Sequence, residues 1–356
     1  MQPIIVNLGP LKIYGYGLML VLGFLSGISL ARWRARRCGL DPQMVPTVGL
    51  LALVAGVLGA RAAYVIQHYE AQFAYQPAWE LLNITSGGLI FYGGVAAATG
   101  VILTYIRVCR LPMRRVLDVI APSLMLGLAF GRMGCLLNGC CFGGPARAGF
   151  PLAAHFRYAV PPLVSLGSGG NIFGDASVSP VFQHQLSRQM PPERGGLDIG
   201  SLPPYLLERN ALGQAASTER MRAIPVAPAD LSPKDAKDVL YHANVYARPV
   251  QPAQTLAVIN ALLVAGLLMA YSRLRKREGQ VFLLMLMLYP VLRFVEEGIR
   301  DDNPHDLFHL HFTHNQITSM VMIGVGLGLW LLLRHWPAAA TGPAPAVAAS
   351  SRQKGN

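Results

Sequence analysis

The chain has 356 residues, of which 53% are apolar and only 13% charged, with a mean hydropathy of +0.39. Soluble domains carry about a quarter charged residues, so this composition excludes an ordinary soluble protein and points to one that crosses a membrane several times. The formal net charge of +12 does not mark a nucleic-acid binder, because the basic residues sit in short clusters beside apolar runs, as topology signals do.

The N-terminus, "MQPIIVNLGP", lacks a basic leader and a small-residue cleavage site, so the first apolar run is expected to remain in the protein. A span needs about 17–25 apolar residues. Seven are predicted, near 13–31, 45–66, 88–106, 116–136, 253–272, 280–297 and 316–334. Three connections are short and basic. Arg32, Arg34, Arg36 and Arg37 follow the first span; Arg107, Arg110, Arg114 and Arg115 the third; Arg273, Arg275, Lys276 and Arg277 the fifth. Alternation puts all three on one side, which the positive-inside rule makes cytoplasmic. The fold class is therefore an all-α polytopic membrane protein with its N-terminus outside and its C-terminus cytoplasmic.

The expected organisation is a membrane core of four spans in residues 1–144, an extracytoplasmic insertion in 145–252, three more spans in 253–336 and a tail in 337–356. The insertion holds candidate strands, "HFRYAV" and "VYARPV", and a candidate helix, "SPKDAKDVLYHANV", and reads as a small mixed lobe. The tail, "PAAATGPAPAVAASSRQKGN", is rich in Ala and Pro and reads as disordered.

Within this frame the ionisable residues stand out. A charge at mid-bilayer costs about 2.5–3.5 kcal/mol on insertion scales, so it implies a function or a partner. Arg132 ends the fourth span; Arg293, Glu296 and Glu297 end the sixth, in "LYPVLRFVEEGIRDDNP". Arg293 and Glu297 are four apart on a helix and can pair. Arg132 can be a snorkelling anchor or part of a pocket. Glycines at 131, 134, 139 and 143 let backbone approach a ligand, and arginine forks match phosphate oxygens. Together these point to a site for an anionic lipid headgroup. "YGYGLML" (14–20) and "SGGLIFYGG" (86–94) each set a tyrosine beside glycine at the outer end of a span, where it can face a headgroup or belong to the interfacial aromatic belt.

Five cysteines remain. Cys38 and Cys109 lie in or beside basic loops and read as ordinary thiols. Cys135, Cys140 and Cys141 fall at the outer face. Small packing residues are the favoured reading; a catalytic thiol or disulfide comes second. Zinc comes last, because the usual second pair of ligands is missing, although His305, His309, His311 and His314 could contribute.

At "GRMGCLLNGCCFG" (131–143) the chain resembles the prolipoprotein diacylglyceryl transferase family, whose signature runs G-R-x-G-N-F-x-N-x-E-x-x-G. Gly131, Arg132, Gly134, Asn138 and Gly143 match it, while Cys135, Leu136 and Cys140 stand in place of Asn, Phe and Glu. "YGYGLM" resembles W-Y-G-L-M and aligns Tyr16; "FYGG" (91–94) resembles F-H-G-G and puts Tyr92 where a histidine is usual. "RPVQPAQTL" (248–256) resembles H-P-[ST]-Q-L-Y-E, "RFVEE" (293–297) matches R-F-x-x-E, and "NQITSM" (315–320) resembles G-Q-x-x-S.

The resemblance implies a bacterial inner-membrane enzyme of lipoprotein biosynthesis, with its site toward the outer, periplasmic leaflet. It would move diacylglyceryl from phosphatidylglycerol to the lipobox cysteine of a prolipoprotein, a protein lipidation that leaves a thioether and releases glycerol phosphate. Its partners would be that lipid, the prolipoprotein signal peptide and other membrane lipids, with no nucleic acid, and neither metal nor organic cofactor is required. The catalytic set it implies is Arg132, Arg293, Glu297, Tyr92 and Tyr16. Substrate would be bound by Arg132, Asn138, Gly143, Gly93, Gly94, Gln254 and Gln316, with Cys135 and Cys140 as variant thiols. Arg61 lies outside every matched motif, so its replacement by alanine is expected to be milder than that of Arg132 or Arg293.

Three other classes were weighed. A transporter would show inverted repeats and broken helices in pairs, which the sequence lacks. A membrane thiol-redox protein would carry C-x-x-C, also absent. A non-catalytic homologue, or a protein that only binds anionic lipid, would keep the same spans.

Overall fold

The structure is a computed structural model; it describes residues 3–8, 11–74, 77–83, 87–147, 150–156, 159–160, 164–165, 177–187, 247, 249–300 and 312–335. The candidate helix at 232–245, the tail from 337 and the histidines at 305, 309 and 311 lie outside the described residues.

The elements run in the order β1 (Ile4–Leu8), β2 (Leu11–Tyr14), α1 (Gly15–Arg37), α2 (Met44–His68), α3 (Phe91–Val108), α4 (Met113–Asn138), β3 (Ala159–Val160), β4 (Val164–Ser165), β5 (Ser177–Val178), α5 (Pro180–Ser187), α6 (Ala253–Leu274), α7 (Gln280–Glu297) and α8 (His314–Arg334). All seven predicted spans are helices. Six, α1 to α4, α6 and α8, are long and apolar enough to cross a membrane. In its 18 residues α7 carries Arg293, Glu296 and Glu297, which sets it apart from the other six by composition.

The chain divides into two units. One comprises Met1–Phe24, Met125–Ala265 and Leu286–Leu327. In it β1 and β2 form an antiparallel hairpin, with Val6 opposite Ile13 and Leu8 opposite Leu11, and β4 adds in parallel to β1. β3 and β5 pair separately. "HFRYAV" and "VYARPV" do lend residues to extended pairing. Ala159–Val160 is β3, the Ala247 N–H donates to the Phe156 carbonyl (2.8 Å), and Val250 bridges Ala154. Main-chain bonds also tie the end of α4 to its neighbours. The Gly144 N–H donates to the Ile299 carbonyl (2.9 Å), the Gln251 N–H donates to the Gly144 carbonyl (2.8 Å), and Gly143 bridges Arg300.

The other unit comprises Leu25–Leu124, Gly266–Met285 and Gly328–Asn356. Its core packs Ala31, Ala35, Ile106, Val116 and Val119 with Leu40, Met44 and Val45. The arginines after the first predicted span are not a loop. α1 runs on to Arg37, because Arg34 is buried and donates to the Asp118 carbonyl (3.0 Å), while Arg37 stacks on Trp33. Asp118 is fully buried, accepts from the Gly279 and Phe282 N–H groups (2.8 and 2.9 Å) and pairs with Arg275. A side chain of α4 thus satisfies N–H groups left open at the start of α7.

Arg61 changes meaning here. It is 4% exposed and donates to four carbonyls: Leu81 (2.9 Å), Gly87 (2.8 Å), Gly88 (3.3 Å) and Glu80 (2.8 Å). Its guanidinium also lies over the Phe73 and Tyr64 rings. This arginine gathers the segment between α2 and α3 onto α2, a structural role that its place outside the motifs does not show.

Candidate functional site

Ten of the predicted site residues belong to the first unit, and the structure gathers most of them around the ends of α4 and α7. Glu297 is fully buried in the last turn of α7. Its Oε2 pairs with Arg293 Nη2 at 2.8 Å, the i,i+4 contact expected, and its Oε1 accepts from Asn315 Nδ2 at 2.9 Å. Arg293 is itself 8% exposed, and its Nη1 has no hydrogen-bond partner. Partners on its own helix and at the start of α8 therefore help to fix the Glu297 carboxylate, and that carboxylate fixes one edge of the Arg293 fork.

Arg132 sits in the second-last turn of α4. Among the described residues no carboxylate pairs with it. Its electrostatic neighbours are Tyr289, Cys141, Cys135 and Arg300, and Arg293 is within the same range. The guanidiniums of Arg132, Arg293 and Arg300 repel one another, while Tyr289 and the thiols of Cys141 and Cys135 offset part of that repulsion at Arg132.

Tyr16 lies against α4 beside Arg132 and the thiols. The contact depends on Gly134, where a Cβ would stand 2.9 Å from Cδ2 of the Tyr16 ring. Asn138 is the last residue of α4, and Cys135 lies one turn before the helix end. Gln254 is buried near the start of α6, and its Nε2 donates to the Cys140 carbonyl (3.0 Å), so it anchors the loop that carries the thiols. The Cys141 thiol is pulled below its ordinary range, first by hydrogen bonding with the Cys135 and Cys140 sulfurs and then by the Arg300 and Arg132 charges.

Gln316 has a local role that the resemblance does not suggest. Thr313 Oγ1 accepts from the Gln316 N–H (3.2 Å), and Gln316 Oε1 accepts from the Thr313 N–H (3.0 Å). This is a capping box; it starts α8 and so sets Asn315 beneath Glu297. The pattern T-x-x-Q was readable in "THNQ".

Tyr92, Gly93 and Gly94 belong to the second unit, in the first turn of α3. Gly93 and Gly94 are packing residues. A Cβ on Gly93 would lie 2.7 Å from the Gly59 carbonyl oxygen, and one on Gly94 would lie 2.8 Å from that of Gly56. These glycines let α2 and α3 cross backbone to backbone, as small residues do between membrane helices. This packing role stands beside the substrate role that the resemblance implies for them. Tyr92 is exposed, its ring edge-on to Phe91.

Arg300, Tyr289, Asn315 and Asn260, whose Nδ2 donates to Glu296 Oε1 (2.7 Å), were not singled out from the sequence. Arg300 had a signal: it continues the charged run that begins at Arg293, seven residues earlier.

The sequence model of the prolipoprotein diacylglyceryl transferase family matches residues 3–332. A Rhodopirellula baltica protein named phosphatidylglycerol–prolipoprotein diacylglyceryl transferase is 29% identical over 88% of this chain and 70% of its own length. Proteins of the same name are 36% identical in Synechococcus elongatus, over 40% of this chain and 49% of theirs, and 37% identical in Nitratidesulfovibrio vulgaris, over 40% and 55%. With a family match over nearly its whole length, and with the arginines of two of its motifs in electrostatic range of each other at the ends of α4 and α7, the chain belongs to the prolipoprotein diacylglyceryl transferase family.

Proposed function

We propose that this protein transfers the diacylglyceryl group of phosphatidylglycerol to the lipobox cysteine thiol of a prolipoprotein, forming a thioether and releasing glycerol phosphate. The observation that carries the reading is the cationic pair itself: Arg132 without a carboxylate partner among the described residues, and a buried Arg293 with one free edge. When the thiolate displaces the phosphate ester at the glyceryl carbon, negative charge grows on the departing phosphate oxygens. Guanidiniums fixed before the reaction stabilise that charge without reorganising at the moment it appears. Arg132 binds the phosphate, and Arg293, positioned by Glu297, shares the developing charge. Tyr16, bedded on Gly134, is placed to donate a hydrogen bond to the headgroup, and Tyr92 takes the histidine's position in the family motif. Asn138 and Gly143 shape the end of α4, while Gln254 and Gln316 position its neighbours.

The protein is a multi-pass membrane protein, and we place its N-terminus and residues 145–252 outside, its C-terminal tail in the cytoplasm, and the site at the outer leaflet of the bacterial inner membrane. This rests on the three arginine clusters. Cysteine-accessibility labelling should find residues 150–245 outside and Arg273–Arg277 inside. A cytoplasmic lobe would invert the site and end the transferase reading.

The activity itself is tested by expressing the gene in a bacterium depleted of its own transferase. Rescue of growth, with diacylglyceryl on a reporter lipoprotein by mass spectrometry, is the expected result. A well-inserted protein that neither rescues nor lipidates would make it a non-catalytic, anionic-lipid-binding homologue.

A further inference from the structure

We propose that Cys135, Cys140 and Cys141 form a three-thiolate zinc site whose open fourth position receives the thiol to be lipidated. The inference rests on the transferase reading above and adds to it the means of activating the nucleophile. It starts from convergence. The three sulfurs lie within 4.8 Å of one another, the one group of metal-ligating side chains found among the described residues. Zinc–thiolate bonds of about 2.3 Å in a tetrahedron put sulfurs about 3.8 Å apart. The cluster therefore closes on an ion by moving each pair about 1 Å or less, within reach of small side-chain rotations.

The backbone is built to bring them together. α4 ends after Asn138, and the N–H groups of Gly139 and Cys140 both donate to the Cys135 carbonyl (2.9 and 3.1 Å), folding the chain back over Cys135. Gly139 is left-handed at φ +74°, and so is Cys141 at φ +58°. A cysteine in that region costs about 1 kcal/mol or more, and such strain persists where surrounding structure enforces it. Gln254 holds the Cys140 carbonyl. Small residues that only fill space need neither the left-handed cysteine nor the shared direction of the sulfurs.

Charge and ligand count decide what the cluster holds. Three thiolates around Zn²⁺ carry a net charge of −1, and Arg300 and Arg132 stand in electrostatic range of Cys141 to balance it. Three protein ligands with a fourth position left open is the arrangement of zinc sites that act on substrates, whereas closed four-ligand sites are structural. Cys135 and Cys140 occupy the positions where the family signature has Asn and Glu, in a chain where Tyr92 replaces its histidine. A phenol lacks the ring nitrogen with which a histidine accepts a proton, and zinc supplies another way to form the thiolate.

The chemistry balances. The prolipoprotein thiol displaces water at the fourth position and loses its S–H proton to the outer aqueous phase, as coordinated thiols do. The thiolate sulfur attacks the glyceryl carbon, the carbon–oxygen bond to phosphate breaks, and its electron pair leaves with glycerol phosphate. The thioether, a poorer ligand than a thiolate, leaves the metal. No oxidant or reductant takes part.

The test uses the full-length protein, purified in detergent without a histidine tag. Elemental analysis should give about one zinc per chain, and replacement by Co²⁺ should produce intense near-ultraviolet sulfur-to-metal absorption. C135S, C140S and C141S should each weaken metal binding at least tenfold, while C109S, at an exposed cysteine outside the cluster, keeps it. Chelation should abolish transfer and added zinc restore it, but not in C140S. A protein that takes up neither zinc nor cobalt, or whose thiols are found joined as a disulfide, overturns the site. Undiminished transfer by the metal-free protein overturns its role and leaves the transferase reading standing. A zinc-loaded protein without transfer sinks that reading, and the activating role with it.

Discussion

Replacing Arg132 with alanine should abolish lipid transfer while leaving the protein folded. The side chain makes no ion pair among the described residues, so its loss strands no buried carboxylate. Its neighbours are the like charges of Arg300 and Arg293 together with Tyr289, Cys141 and Cys135, so its removal relieves repulsion and loses attraction at once. The melting temperature should therefore stay near the parent's. Transfer should fall on the order of a hundredfold or more, the usual effect of deleting one preorganised donor from a site where negative charge develops. Lysine keeps the charge but presents no planar fork to two phosphate oxygens, so Arg132→Lys should also be damaging. The measurement is the mass shift of a lipobox peptide incubated with the purified protein and phosphatidylglycerol vesicles, beside a thermal melt. Transfer by Arg132→Ala at the parental rate would make Arg132 a snorkelling anchor. Arg293 is a less clean probe, because its removal takes an ion-pair partner from the buried Glu297.

Arg61→Ala should show the opposite division. Four carbonyls lose a charged donor at once, and each such bond contributes about 1.5–3 kcal/mol. The Leu81, Gly87 and Gly88 carbonyls lie near the surface and regain some water, so the net loss should be on the order of 3 kcal/mol. The expected result is a low yield of inserted protein and a clearly lowered melting temperature. Any loss of transfer should track the loss of folded protein. Lysine, with three donors on one atom, cannot span the same fan and should recover only part of the stability. If Arg61→Ala melts with the parent, the fan contributes nothing and the residue is as peripheral as its place outside the motifs suggested.

The two arginines show where sequence reading succeeds and where it stops. Apolar run length is a one-dimensional property set by bilayer thickness, so the seven helices were legible to within a few residues. The Arg293–Glu297 pair was equally legible, because four residues on a helix fix a distance. Arg61 was not, since its four acceptors lie 19 to 27 residues away on a turn whose path no local pattern specifies. The packing role of Gly93 and Gly94 was hidden for a related reason: a glycine that admits a ligand and one that admits a neighbouring helix look alike until the neighbour is placed. The extension of α1 through Arg37 was hidden because a basic cluster reads as an aqueous loop unless its partner, here the Asp118 carbonyl, is known. The thiols were visible as a cluster in sequence, but C-x4-C-C is silent about direction. It took the left-handed turn at Cys141 to aim them together.

The main-chain ties around Gly143 and Gly144 have an evolutionary consequence. Carbonyl and N–H groups hold the end of α4 against residues 251 and 299–300, so this junction makes little demand on the side chains beside it. Cys135 and Cys140 take part in this turn through their carbonyls, so the donor group on their side chains can change without loss of register. The carboxamide and carboxylate of the family signature and the thiols of this chain can thus stand on the same backbone. The same neutrality makes these positions a natural cassette in which a protein engineer could exchange one donor set for another.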